Sequence, residues 1–285
     1  MTINIYNNVL ICPKCAGKLF PAGNALKCFE NHSYDRSREG YYNLLITSRG
    51  GTHGDNTEMV LARRAFLSRG YYEPLASRVA ELVALHTSPL MPILDAGAGE
   101  GYYTDTIERK MRERDGDSAV YAFDISKNAV RELRRRNADI HAVVAGSYHM
   151  PIADGSIATL VNTFSPLARD EVHRVLRNGG IFVMAIPEER HLYELKAAIY
   201  DTPYLNTVDD PSLEGFELVS DERLTYMMQL ESREDISALF GMTPYAYRTG
   251  EGGRERVKAL ERLDCTADFH IFVYRKVNAQ NTEEA

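Results

Sequence analysis

Apolar positions along the chain follow two periods. From Thr57, the residues Met59, Ala62, Phe66 and Leu67 share one face at helical spacing, with Arg63, Arg64 and Arg69 elsewhere on the surface and Gly70 as the stop. A second helix is expected over Glu73–His86, with Leu75, Val79, Leu82 and Val83 as its stripe. From Pro92 onward, strands and helices alternate. The strands are Pro92–Leu94, Ala119–Asp124, His141–Ala145, Ile157–Thr163 and Ile181–Ile186, the last preceded by a turn at Arg177–Gly180. The helices are Tyr102–Arg114, Lys127–Arg136, Ala168–Leu176 and His191–Tyr200. Such alternation predicts an α/β domain whose mostly parallel sheet is covered on both faces. The end of the chain reads as a strand over Phe216–Leu230, helices over Ser232–Phe240 and Arg254–Leu263, and a final strand over Thr266–Arg275.

The first 45 residues do not fit this pattern. They hold no long apolar stripe, but they hold Cys12, Cys15, Cys28 and His32 in the spacing C-x2-C-x12-C-x3-H. A Cys-Pro-Lys-Cys knuckle brings two thiolates to one ion from a tight turn, and the second pair closes a tetrahedron, so zinc is the expected metal. A segment this short cannot bury enough apolar surface to order itself, and the metal would supply the missing energy. Cys265, in the last alternating stretch, reads as a core thiol. The resulting division is a zinc-binding module over 1–45, a linker over 46–57, an α/β domain with a helical lead-in over 58–277, and a polar tail over 278–285.

Composition adds two points. The 285-residue chain is 44% apolar and 26% charged, which excludes disorder, and it contains no run that could span a bilayer. Met1 to Leu10 lacks a basic stretch followed by an apolar block, so a cytoplasmic protein is expected. The net charge is -7, yet residues 1–70 carry nine Lys/Arg and five acids, a surplus of +4 that leaves -11 for the remainder. An acidic chain with a basic N-terminal face remains compatible with RNA.

The segment Asp95-Ala96-Gly97-Ala98-Gly99-Glu100-Gly101-Tyr102 follows the first sheet strand. Glycines there let the backbone approach a ligand at the switch point of the sheet. A dinucleotide fingerprint needs a third glycine where this chain has Tyr102. Asp95, two residues before Gly97, suits an ammonium partner. Asp124, at the end of the second strand, suits a ribose diol. Together these describe a pocket for S-adenosylmethionine, and the expected fold is a Rossmann-like class I methyltransferase with a seven-stranded sheet and a small zinc ribbon in front. Ala145–Pro151, including His149, is placed beside the adenine. Asn162–Pro166 is placed where substrate meets the methyl group. His149, Asn162 and His191 are candidate orienting groups, and no general base is assigned.

The zinc knuckle, Arg38–Leu45, Ala62–Leu67, Gly99–Thr104, Pro187 with Arg190-His191-Leu192, and Met242–Tyr245 resemble the bacterial 23S ribosomal RNA guanine-N1 methyltransferases over nearly the whole chain. The resemblance implies methylation of N1 of a guanine in a domain II hairpin, and some relatives confer resistance to tylosin-like macrolides. It implies that Cys12, Cys15, Cys28 and His32 hold zinc and that Tyr72, Tyr103, Thr104 and His191 contact the methyl donor. It also implies a homodimer with RNA between the subunits. This chain has Ala98 where some relatives have cysteine, and Gly-Tyr-Tyr at Tyr72 in place of Gly-His-Tyr.

For RNA, a splayed base needs an aromatic face, with Tyr41, Tyr42, Tyr71, Tyr102 and Phe164 as candidates. Lys18, Arg36, Arg38, Arg49, Arg63 and Arg64 are candidates for phosphates. Arg131, Arg134, Arg135 and Arg136 are read as a solvated helix face. Two other functions compete: a small-molecule methyltransferase, which needs no zinc module, and a non-catalytic zinc-ribbon RNA-binding protein, which needs no Asp95, Gly97, Gly99 and Asp124 together. Cys12→Ser is expected to abolish RNA methylation while sparing donor binding, whereas loss of both would mean that the zinc module holds up the catalytic domain.

Overall fold

The Cys/His segment folds as three short antiparallel strands, β1 (Phe20–Ala22), β2 (Ala25–Lys27) and β3 (Ser33–Asp35), in the order β1-β2-β3. The computed structural model describes residues 9–46, 54–116, 118–208 and 210–277. The linker positions 47–53, including Arg49, and the tail 278–285 lie outside the described residues, as do residues 1–8. After the ribbon comes a two-residue strand, β4 (Tyr42–Asn43), which leaves the small sheet and joins the large one.

Two helices lead into the large sheet. In α1 (Thr57–Leu67) the Asn56 side chain caps the first turn by accepting from the Met59 N–H at 2.9 Å. α2 (Glu73–His86) has the boundaries its apolar stripe predicts. Next come β5 (Ile93–Ala96), α3 (Tyr102–Asp115), β6 (Val120–Asp124), α4 (Lys127–Arg136), β7 (His141–Val144), β8 (Ile157–Thr163), α5 (Arg169–Val175), β9 (Leu176–Pro187) and α6 (Tyr193–Ile199). The chain closes with β10 (Phe216–Leu230), α7 (Arg233–Met242), α8 (Tyr245–Arg248), α9 (Glu251–Ala259) and β11 (Leu263–Lys276).

The large sheet has eight strands in the order β10-β11-β9-β8-β5-β6-β7-β4. All pairs from β9 to β4 are parallel, and β11 pairs antiparallel with both β9 and β10. Seven of these strands are the expected set. The eighth, β4, covers the edge of β7 with Tyr42 opposite Val143 and Asn43 opposite Val144, so that edge is not left unpaired. The order reverses at β5, between β6 and β8, which is where open α/β sheets bind ligands.

Several expectations shift, two of them as follows. Arg177–Gly180 does not precede β9 but bulges out within it, since Ile157 faces Leu176 while Thr159 already faces Ile181. Helix α9 runs Glu251–Ala259, starting three residues and ending four residues earlier than its apolar pattern suggests, and Gly253 packs against the Ile199 carbonyl where a Cβ would lie at 2.7 Å.

The sheet has a core on each face. One is built by Phe66, Val79, Ile107, Leu239 and Phe269, and includes the fully buried Cys265 on β11. The other joins Leu94, Phe123, Val143 and Phe182 of the sheet to Val9, Leu10, Leu19, Leu26 and Leu44 of the N-terminal module. The zinc segment is therefore part of the second core.

Candidate active site and metal centre

At the metal centre, Cys12, Cys15, Cys28 and His32 place one ligand atom each within 4.8 Å of the others. Cys15 Sγ lies 3.6 Å from Cys28 Sγ, and His32 Nδ1 lies 3.4 Å from both Cys12 Sγ and Cys28 Sγ. A tetrahedron with zinc–sulfur bonds of about 2.3 Å has edges of about 3.7 Å, so these spacings fit one ion. Asn31, at φ +60, makes the tight turn between Cys28 and His32, and its N–H donates to the Cys28 carbonyl at 3.0 Å. The Tyr34 hydroxyl lies 3.1 Å from Cys12 Sγ and supports that ligand from outside.

The glycine turn after β5 opens into a cavity of about 1860 Å³. Gly97, Gly99 and Gly101 all take positive φ, at +83, +57 and +86. At Gly97 an added Cβ would collide with the Ser165 side chain. The turn is tied down by Asp124, which accepts from the Gly99 N–H at 2.9 Å through Oδ2 and from the Ser126 N–H at 2.7 Å through Oδ1. Burial pushes the Asp124 carboxyl upward, and the Ser126 and Gly99 N–H groups oppose that rise. Each oxygen keeps a lone pair for a ligand hydroxyl.

Of the expected donor contacts, Tyr72, Gly97, Gly99, Tyr103, Asp124, His149 and His191 all line this cavity. Asp95 and Thr104 do not. Asp95 is 1% exposed and Thr104 is fully buried, and the Thr104 hydroxyl donates to Asp95 at 2.6 Å behind the turn. Burial pushes the Asp95 carboxyl up to about 7, and the charge of Asp124 adds to the effect.

Tyr72 and His191 form a directed pair. The Asp268 N–H donates to His191 Nδ1 at 3.3 Å, which leaves the ring proton on Nε2, 3.2 Å from the Tyr72 hydroxyl. Burial drops the His191 imidazolium pKa to about 3, so the ring is neutral at physiological pH. The Tyr72 oxygen accepts from Nε2–H and directs its own proton elsewhere, and its residue lines the cavity. Two further hydroxyls there, Tyr103 and Thr163, are buried with no hydrogen-bond partner among the described residues. Unpaired buried hydroxyls in a concave site mark the places where a ligand completes the bonding.

Charged side chains such as Lys14, Asp55, Arg63, Glu171 and Arg174 also line the cavity, together with aromatic rings. Phe164, directly after β8, takes φ +58 and is 40% exposed. Its ring centroid lies 5.5 Å from that of Phe269, 6.1 Å from Tyr103 and 6.4 Å from His191. A bulky residue in the left-handed region stores strain that the surroundings must hold. Of the other aromatic candidates, Tyr41 is a core residue at 3% exposure, and Tyr71 stacks on Phe66 and donates to Asp235. Tyr42 is occupied in β4, and Tyr102 lines the cavity beneath the guanidinium of Arg136. Asn162 is buried in β8 and does not line the cavity.

The basic candidates divide similarly. Arg63 pairs with Asp55, and Arg64 pairs with Glu132 at 2.9 Å. Lys18, Arg36 and Arg38 are exposed on the ribbon. The α4 arginines are not a simple solvated face. Arg136 is largely buried and grips the 1%-exposed Glu100 of the glycine turn at 2.6 Å, and Arg134 donates to carbonyls of Glu39, Ala138 and Ile140. Position on the last helical turn gave no sign of these partners, which come from other elements.

One arrangement was absent from the sequence reading. Cys12 to Ala16 of the knuckle, and Leu44 to Ile46 after it, line the same cavity as the glycine turn. The Ile11 N–H donates to the Pro151 carbonyl at 2.9 Å and the Leu44 N–H to the Val144 carbonyl at 2.9 Å, which fixes the module beside the site. Of the two outcomes named for Cys12→Ser, this shared wall favours the one in which donor binding is lost together with methylation.

Comparison with known proteins now adds to the geometry. The zinc-ribbon family described as "RlmA, N-terminal" matches residues 10–47, and the family described as "Methyltransferase domain" matches residues 93–180. A protein of Micromonospora griseorubida named as a 23S rRNA (guanine-N(1)-)-methyltransferase is 33% identical, covering 94% of this chain and 97% of that one. The 23S rRNA (guanine(748)-N(1))-methyltransferase of Streptomyces fradiae is 32% identical over 84% of this chain and 85% of its own. This chain belongs to the 23S rRNA (guanine-N1)-methyltransferase family. A Bacillus subtilis relative of the same naming is 28% identical over 93% of this chain and 96% of that one.

For this methyltransferase the two implied groups fit the residues present. Three thiols and one imidazole suit zinc. The Asp124 carboxylate, the open backbone at Gly99 and the unpartnered Tyr103 and Thr163 hydroxyls suit a nucleoside with a polar tail. No helix among the described residues is long and apolar enough to cross a membrane.

Proposed function

We propose that this chain transfers a methyl group from S-adenosylmethionine to N1 of a guanine in a domain II hairpin of 23S rRNA. The observation that carries the reading is the single cavity bounded by the glycine turn on one side and the zinc knuckle on the other. Its 1860 Å³ exceeds the roughly 300–1,000 Å³ that one small ligand fills, which leaves room for an extruded base beside the donor.

S-adenosylmethionine supplies an electrophilic methyl on its sulfonium. The chain's work is alignment, because methyl transfer needs nucleophile, methyl and sulfur in line. Asp124 takes the ribose hydroxyls, while Tyr72, Tyr103 and the glycine turn hold the donor, with His191 fixing the Tyr72 hydroxyl and the Asp95–Thr104 pair bracing the turn from behind. His149 flanks the adenine. Phe164 offers the ring against which the guanine stacks. His191 donates its only ring proton to Tyr72 and its other nitrogen is occupied, so it is not the acceptor of the guanine N1 proton.

The zinc-bearing module over 1–45 serves recognition of RNA, the linker over 46–57 joins it to the catalytic domain over 58–277, and 278–285 form a tail. The protein acts in the cytoplasm as a homodimer. Purified protein incubated with donor and 23S rRNA from a strain lacking the enzyme tests the reaction by primer extension. N1 methylation blocks base pairing, so a new stop in a domain II hairpin is expected. Full donor turnover on free nucleosides with no stop on rRNA would refute the reading, and sedimentation of the purified protein checks the dimer.

A further inference from the structure

The zinc ribbon carries a second aromatic surface, outside the cavity. Phe29 is 82% exposed, the most exposed of the large apolar side chains among the described residues, and Phe20 is 37% exposed. Their rings meet edge to face with centroids 4.9 Å apart. Lys27 stands directly opposite Phe20 across the β1–β2 pair, so the two side chains share a face of the sheet. Lys18 is two residues before Phe20. Among the described residues, neither lysine has an ion pair. Phe29 follows the metal ligand Cys28 and precedes the Asn31 turn, so the platform is rigid when the metal is bound.

An exposed phenyl ring beside free ammonium groups has poor value in a core and none in a metal site. It does have the form of a stacking surface for an unpaired base, with cations for the flanking phosphates. Charge complementarity favours that occupant. Residues 10–36 carry Lys14, Lys18, Lys27 and Arg36 against Glu30 and Asp35, a surplus of two positive charges in a chain of net charge -7. Lys14, on the knuckle, lines the methylation cavity, so the ribbon meets the reacting site, and Phe20 and Phe29 of the same ribbon stand outside that lining.

We infer that Phe29, backed by Phe20 and flanked by Lys18 and Lys27, stacks an unpaired nucleotide of the RNA substrate other than the methylated guanine. The inference rests on the rRNA reading above. The test uses full-length zinc-loaded protein and a domain II hairpin, with 2-aminopurine placed in turn at each unpaired position and binding followed by anisotropy. For wild type, one position away from the methylated base should show fluorescence quenched by stacking. Phe29→Ala should abolish that quenching and weaken RNA binding roughly five- to a hundredfold. Phe29→Trp should retain it and Phe29→Leu should not. Lys27→Ala should reduce the slope of log affinity against log salt by about 0.7–0.9, one phosphate's worth. Zinc content and affinity for S-adenosylhomocysteine should stay unchanged in all four.

Unchanged hairpin affinity in Phe29→Ala, with wild type methylating normally, overturns the platform alone. Failure of wild type to bind or methylate the hairpin overturns the rRNA reading and the platform with it. A Phe29→Ala protein that sediments as a smaller species without RNA would assign the surface to a second copy of the chain and overturn the inference.

Discussion

Removing zinc should weaken donor binding, although no metal ligand is expected to touch the donor. The link is the wall formed by Leu44, Leu45 and Ile46, which the knuckle and β4 hold against the sheet. Leu45 Cδ1 lies 3.8 Å from the Cβ position of Gly146, beside the cavity. Full burial of one leucine is worth about 1.5–3 kcal/mol, and Leu45 is already mostly buried, so covering what remains exposed contributes at most about 1 kcal/mol. Loss of the whole wall should exceed that, giving at least a tenfold rise in Kd, since about 1.4 kcal/mol is one factor of ten. Calorimetry with S-adenosylhomocysteine on zinc-loaded and chelated protein reads the change, with bound zinc and far-UV circular dichroism measured on the same samples. Leu45→Ala in zinc-loaded protein should give a loss of up to about fivefold with the metal retained. An unchanged Kd after more than nine-tenths of the zinc had left would show that the wall does no binding and that the module is energetically separate.

Three other outcomes follow from the site. Tyr72→Phe removes the hydroxyl that joins His191 to the cavity and should weaken S-adenosylhomocysteine about tenfold by calorimetry, without lowering Tm by more than a few degrees. Gly97→Ala puts a methyl group into Ser165 at a left-handed φ, so donor binding should fall below detection while zinc content holds. Asp95 has a folded pKa of about 7 against an ordinary 3.8, so its contribution to stability is full below about pH 4 and is lost as pH rises through 7. Donor-free Asp95→Asn should therefore show a flatter Tm profile than wild type between pH 5 and 8, and parallel profiles would count against a neutral buried acid.

Much of this arrangement was legible in the residues. The apolar stripe of α2, the span of α4 and the runs of β8 and β10 set those boundaries directly, because local period and burial agree there. The four metal ligands came from spacing, since chelation demands neighbours in a short segment. The glycine turn and Asp124 came from the strand-turn-helix setting. What escaped was long-range. Nothing in Tyr42-Asn43 announces a partner at Val143 and Val144, and Arg134 and Arg136 look like any polar helix end until Glu39 and Glu100 arrive from other elements. Asp95 reads as a ligand to an ammonium, and only the fold shows its carboxylate turned behind the glycine turn to accept from Thr104.

The two residues of β4 also bear on how the chain can be cut. A fragment starting at residue 58 would present the bare N–H and C=O groups of β7 to its neighbours, together with the apolar patch around Leu94, Phe123 and Val143 that Leu10 and Leu44 now shield. Such an edge is a template for intermolecular pairing. Truncation before β4 is therefore expected to lower the solubility of the catalytic fragment.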